Sequence, residues 1–229
     1  MEGLWRGNSA ATPCHSAVKV RAMDFDRAYA DWIRALTQGG FAVETFLNPP
    51  ASDPEITAFE ESIGFAIPSD LRALYRRANG QKASFKISDP KPGTIMTPFF
   101  GLYDFVSLEK ALQTYRGWLD IYVSAGDSFA SDFDHCTARE GNPVFGEYWR
   151  PGWTAFSLDG GGNSYAVDLS PAPGGVYGQV IAIGSDEDER RVPARSMTEL
   201  LAKAAATIDV SLATKGESTV WRCFDLESP

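Results

Sequence analysis

The residues that could do chemistry gather in a few places along this 229-residue chain. Gly160-Gly161-Gly162 could cradle a phosphate. A phosphate loop, however, leads from a strand into a helix and carries a Lys and a Ser or Thr at fixed spacing. Here Ser164-Tyr165-Ala166-Val167-Asp168 follows, which has strand character, and the Lys is missing. The run from Asp159 through Gly162 and Asn163 therefore reads as the turn of a β-hairpin. His135-Cys136, just after Asp132-Phe133-Asp134, holds residue types that ligate metals. A metal centre needs three or four convergent ligands, and the other histidine is His15, far away in sequence. No metal and no cofactor is expected. A nucleophilic hydrolase would have to use His135 as its base, and no G-x-S-x-G elbow accompanies it.

Carboxylates offer further candidates. Glu60 and Glu61 are adjacent, and Asp159 and Asp168 bracket the hairpin and are expected to lie near each other. Paired acids in a cleft can hydrolyse glycosides, but an Asp at a turn start more simply accepts from local backbone amides. Asp186-Glu187-Asp188-Glu189 is an acidic turn, either merely solvated or facing a cationic partner. Trp149 and Trp153 flank Pro151. A buried one belongs to the core and an exposed one would anchor an interface, and Trp149 is taken as the anchor.

Composition bounds these options. The chain has 21 Lys and Arg against 30 Asp and Glu, a net charge of −9, which disfavours nucleic acid and anionic membranes and favours a cationic partner. Cys14, Cys136 and Cys223 are few and scattered. They form neither a disulfide framework nor a zinc pattern, and free thiols fit a reducing, cytoplasmic setting. No apolar run reaches the roughly 20 residues of a membrane span. Residues 1–22 lack periodicity and read as a loose, dispensable tail, or as lying before a start at Met23.

The elements that must position these groups follow from periodicity. Phe25, Tyr29, Trp32, Ile33 and Leu36 fall on one helical face, stopped at Gly39-Gly40. Ser52 and Glu55 form a capping box with Pro54 in the first turn, and Ile56, Phe59 and Ile63 make the stripe that Gly64 ends. After Pro68, a second helix carries Leu71, Leu74 and Tyr75 up to Asn79-Gly80. Residues 84–87 and 99–103 read as strands. Ser107 opens a helix with Leu108, Leu112, Tyr115 and Leu119, and residues 124–148 show no firm period and read as an insertion or long loop. Residues 153–158, 164–169 and 180–183 are strand-like, and 190–194 resumes the sheet. Ser196 and Glu199 form a second capping box before Leu200, Leu201, Ala204 and Ile208. A weak strand follows around residues 220–224. Strands joined by hairpins rather than by crossover helices predict an α+β fold, a largely antiparallel sheet with flanking helices. The domain is expected over residues 23–213, with a C-terminal extension over 214–229.

The ordered set of Ile56, Phe59-Glu60, Ile63-Gly64, Ile67-Pro68, Leu71, Leu74-Tyr75 and Asn79-Gly80 resembles the N-terminal signature of the SUKH superfamily. Trp149, Gly152-Trp153, the turn 159–163, Ala166-Val167-Asp168-Leu169, Gly178-Gln179-Val180-Ile181, Gly184 and Leu200-Leu201 continue the resemblance, over about residues 50–205. That family joins fungal cell-wall and glucan-synthesis regulators to bacterial toxin-immunity proteins. The resemblance implies an α+β fold and a function of binding without catalysis. It makes Gly64, Pro68, Gly80, Trp153, Asp159, Gly162, Asn163 and Asp168 structural. The first expectation is an immunity protein that neutralises a cognate toxin, such as a cationic nuclease, through Asp186, Glu187, Asp188, Glu189 and Trp149. The alternatives are a regulatory scaffold of cell-wall synthesis or signalling, and a hydrolase using His135.

Overall fold

Local signals at the start of the family-like region are satisfied in full. The computed structural model describes residues 24–38, 43–82, 99–101, 103–207, 213–215 and 218–220. Helix α1 spans Phe25–Gln38 and α2 is the short Val43–Phe46. In α3, Asp53–Ile63, the Ser52 hydroxyl accepts from Glu55 N and the Glu55 carboxylate accepts from Ser52 N, closing the capping box. Glu60 then ties α3 to the next helix. Its carboxylate accepts from Ile67 N at 2.8 Å and pairs with Arg72 of α4, Ser69–Tyr75. The Glu60-Glu61 pair is thus an elbow brace and an exposed neighbour, not a pair of working acids.

Two glycines at the ends of these helices differ in what they permit. Gly64 has φ 77° with open space where a Cβ would stand. Gly80 has φ 79°, and a Cβ there would lie 2.4 Å from Ser107 N. Gly64→Ala is expected to lose about 1 kcal/mol, the cost of a left-handed residue. Gly80→Ala adds a backbone clash and is expected to lose about 2 kcal/mol or more. Urea denaturation of both variants checks the ranking. Equal losses would mean that the Ser107 backbone yields freely.

The sheet has the order β1-β3-β4-β5-β6-β2. Its strands are β1 Asp104–Phe105, β2 Thr137–Ala138, β3 Trp153–Leu158, β4 Ser164–Asp168, β5 Gln179–Ile183 and β6 Glu189–Ala194. All neighbours run antiparallel except β2, which lies parallel to β6 at the edge. Every residue of β4 and β5 is buried, so both faces of the central sheet are covered. Helix α5, Leu108–Ala125, packs on β3 and on α3, and α7, Met197–Thr207, packs on α1, α4, β5 and β6. Asp70 joins α4 to α7 by accepting from Thr198 N at 2.9 Å. Ser196 accepts from Glu199 N, but the Glu199 carboxylate turns to Arg195 N, one residue before the expected partner. The short strands β7, Ala213–Lys215, and β8, Ser218–Val220, pair with each other. One hydrophobic core joins the helices to the sheet, giving a single α+β domain.

Three expectations need correction. The described residues among 99–103 form no strand. Phe100 and Tyr103 only bridge each other, while Phe99, Phe100, Phe105 and Phe156 pack as an aromatic knot with centroid spacings between 4.9 and 5.8 Å. A run of aromatics in a tight turn mimics strand composition. Asp159 and Asp168 are not neighbours either. Asp168 pairs in register with Trp153 and Ser164 with Leu158, so the two acids sit at opposite ends of the hairpin. Asp159 lies opposite Asn163, and five strand steps at about 3.3 Å each put roughly 16 Å between the two acids. Residues 124–148 are not a plain loop. Helix α5 runs on to Ala125, a 3₁₀ turn covers Gly126–Ser128, and α6 covers Phe129–Asp132 before β2. The expected tail over residues 1–22, Cys14, Cys223, and the strands at 84–87 and 221–224 lie outside the described residues.

Candidate functional site

The acidic turn is built into the sheet end rather than laid over it. In the β3–β4 turn, Asp159 accepts from Gly161 N at 2.6 Å and Asn163 N at 2.9 Å, an Asx-type arrangement. Asn163 then links two turns. Its amide donates to Asp159 at 2.7 Å and to Asp186 at 2.9 Å, and its carbonyl oxygen accepts from Asp186 N at 2.9 Å. Ser185 adds a bond to Gly161 O. Glu187 turns inward and holds Arg191 with both carboxylate oxygens, the two side chains only 13% and 10% exposed. Asp188 and Glu189 remain on the surface, facing His135 at 3.7 Å and Arg139 at 2.6 Å.

Asp186 and Glu187 therefore hold the turn together. Glu187→Lys is expected to cost about 2 kcal/mol, because it leaves Arg191 partly buried opposite a like charge. Asp188→Lys should stay within about 0.5 kcal/mol, as surface substitutions do. Thermal unfolding separates them. If Glu187→Lys melts like the parent, the pair with Arg191 is dispensable.

Trp149 is corrected from interface anchor to core. It is 2% exposed, edge-on to Tyr115 at 5.5 Å and to Tyr122 at 5.9 Å. Trp153 is fully buried as well. Its indole N–H is directed towards the Asp168 carboxylate, short of a formed hydrogen bond.

Behind the acidic turn lies a feature that periodicity could not reveal. Arg190, on β6, is completely buried. Its five N–H donors meet five acceptors. Nε donates to Glu147 O at 2.8 Å. Nη1 donates to Gly184 O and Glu187 O, and Nη2 to Tyr148 O at 2.8 Å and to the Cys136 sulfur at 3.3 Å. The guanidinium also lies 5.3 Å from the Tyr148 ring centroid. Burial lowers the Arg190 pKa from its ordinary value, and nearby Glu187 and Asp188 act the other way. One side chain thus pins residues 136 and 147–148 to the turn 184–187.

That pin shapes a cavity of about 400 Å³ between α5, α6 and the segment 133–148. Tyr122, Phe129, Phe133 and Tyr148 form an arc of touching rings, with successive centroids 5.0, 4.9 and 4.3 Å apart. Asp127, Asp134 and Glu147 also line it. His135 stands outside with Asp188 and Tyr148 as neighbours, whereas Cys136 is part of the cavity lining and its sulfur accepts from Arg190. Burial raises the Cys136 pKa above its ordinary value and keeps it a thiol. His135 and Cys136 are therefore adjacent in sequence but form no nucleophile–base pair. Among the described residues, no cluster of His, Cys, Asp and Glu is arranged to hold a metal. Among the same residues, no helix is long and apolar enough to cross a membrane.

The open, mostly antiparallel sheet wrapped by helices is the α+β architecture that the SUKH resemblance implied. The profile of the SMI1 / KNR4 family (SUKH-1) matches residues 50–203, and the chain belongs to that family. It is similar to the "Cell wall biosynthesis/cell cycle regulator smi1" of Schizosaccharomyces pombe, 30% identical over 162 residues that cover 68% of this chain and 30% of that protein. The "Cell wall assembly regulator SMI1" of Saccharomyces cerevisiae is 22% identical over 188 residues, covering 71% of this chain and 36% of the other. A "Glucan synthesis regulatory protein" of Neurospora crassa is 47% identical over 58 residues, covering 25% and 11%. The matches to the two yeast proteins span about a third of each relative's length.

Proposed function

We propose that the chain is a non-catalytic regulatory module that acts by binding a protein of the cell-wall synthesis or signalling machinery. The observation that carries this is family membership over residues 50–203 together with relatives whose names are those of cell-wall regulators. Those names favour the regulatory reading over toxin neutralisation, the first expectation from sequence. The geometry supports binding rather than turnover: His135 is held by Asp188 and Tyr148, and the Cys136 thiol is turned inward onto Arg190. The test is deletion of the gene in its native host, followed by glucanase sensitivity and wall glucan content. Altered sensitivity, restored by the intact gene, is the expected result. An unchanged wall, combined with rescue of cells from a toxic neighbouring gene product, would replace this reading with immunity.

A further inference from the structure

We propose that the cavity between α5, α6 and the segment 133–148 receives a lysine or arginine side chain from a segment of a partner protein. This deepens the reading of the chain as a protein-binding module and rests on it. The volume, about 400 Å³, is that of a site able to enclose a long side chain and the backbone that carries it. Its wall is an arc of aromatic rings, Phe133 stacked on Tyr148 and Tyr122 edge-on to Phe129, and such π-systems attract cations.

Charge selects the occupant further. No Lys, Arg or His lines the cavity, whereas Asp127, Asp134 and Glu147 do. Glu147 already pairs with Arg150 at 3.2 Å. Asp127 and Asp134 have no cationic partner among the described residues. Arg190 stands behind the wall with all its donors engaged, so it offers no site for an anion. A neutral apolar occupant would strip water from the two free carboxylates with nothing in return. A cation on an aliphatic stem lays its methylenes on the rings and its charge against the acids.

The surface beside the cavity points to a polypeptide rather than a small free amine. On α5, Ile121 and Val123 are 45% and 69% exposed and flank Tyr122. They stand about 100° to either side of it around the helix. Residues next to the inserted cation would cover them, which a free amine cannot do.

Four probes test the proposal by NMR titration of the full chain. They are N-acetyl-arginine methylamide, its uncharged citrulline counterpart, the peptide Ala-Leu-Arg-Leu-Ala, and the same peptide with citrulline. The arginine probes should shift the ring resonances of Tyr122 and Tyr148 saturably, and the citrulline forms should bind at least about tenfold more weakly. The peptide should bind at least about fivefold more tightly than the amide, since it also covers apolar surface. Asp127→Asn combined with Asp134→Asn should weaken the arginine probes about tenfold without moving the melting temperature, because both acids are exposed. Absence of saturable shifts, or equal binding of arginine and citrulline, would overturn the proposal. Equal affinity for amide and peptide would overturn the partner-protein half and leave a small-cation site. These readouts concern the cavity alone. A negative result beside a positive wall phenotype would place the module's binding surface elsewhere, whereas the reverse pair would keep the cavity and remove the wall role.

Discussion

Arg190→Met is expected to lower the unfolding free energy by about 3 kcal/mol or more, among the largest losses from a single substitution in this domain. Methionine fills much of the space but donates nothing. Five acceptors, the carbonyls of Glu147, Tyr148, Gly184 and Glu187 and the Cys136 sulfur, would lose their donor together. Each buried acceptor left unmade costs on the order of 1 kcal/mol, and water entering at the turn recovers part of the sum. Arg190→Lys should recover little, because an ammonium has three donors and no planar fork. Urea denaturation gives the loss, and the Tyr148 ring resonances report whether the cavity wall has loosened. A loss under about 1 kcal/mol would mean that segment 133–148 is held by its ring stacking rather than by the guanidinium.

The contrast between what sequence revealed and what it hid has a physical basis. The α3–α4 unit was legible because its signals are local: Ser52 and Glu55 cap within one turn, and Gly64 stops the helix by its own backbone freedom. The hairpin was legible for the same reason, since Asp159, Gly162 and Asn163 fold the turn among themselves. Residues 133–148 were not, because almost nothing within them sets their path. Their bonds run to Arg190, 42 to 54 residues further along, and β2 is an edge strand of Thr137–Ala138. The cavity inherits that opacity, its rings being gathered from α5, α6 and the pinned segment. Trp149 was misjudged on similar grounds, as nothing nearby in sequence announces Tyr115 and Tyr122 as its neighbours. For the acidic turn, a run of four like charges gave no hint that Asn163 and Arg191 would take up two of them.

Asp168→Ala is expected to cost about 2 kcal/mol, with a pH dependence that identifies the cause. Asp168 closes β4 and is completely buried. Its carboxylate accepts from Ser170 N at 3.0 Å and from Gln179 Nε2 at 3.0 Å. Gln179 in turn donates to Pro143 O at 2.9 Å and accepts from Val176 N at 3.0 Å, so the network ties β4 and β5 to the loops on either side. Alanine leaves the Ser170 and Gln179 donors facing a void. Burial raises the Asp168 pKa above the ordinary carboxylate value, and the hydrogen bonds and Arg150 only partly oppose it. A carboxyl whose folded pKa exceeds its unfolded pKa binds more protons in the native state between those two values. Its linked stability is fully present below the unfolded pKa and is lost as pH rises through the folded one. Other groups titrate in both proteins and largely cancel in the difference. The parent's advantage over Asp168→Ala should therefore be larger at mildly acidic pH and shrink towards neutrality. Urea denaturation of both proteins across that range is the measurement. An advantage that grows with rising pH would show that Asp168 works as a stabilised carboxylate, with its hydrogen bonds outweighing its burial.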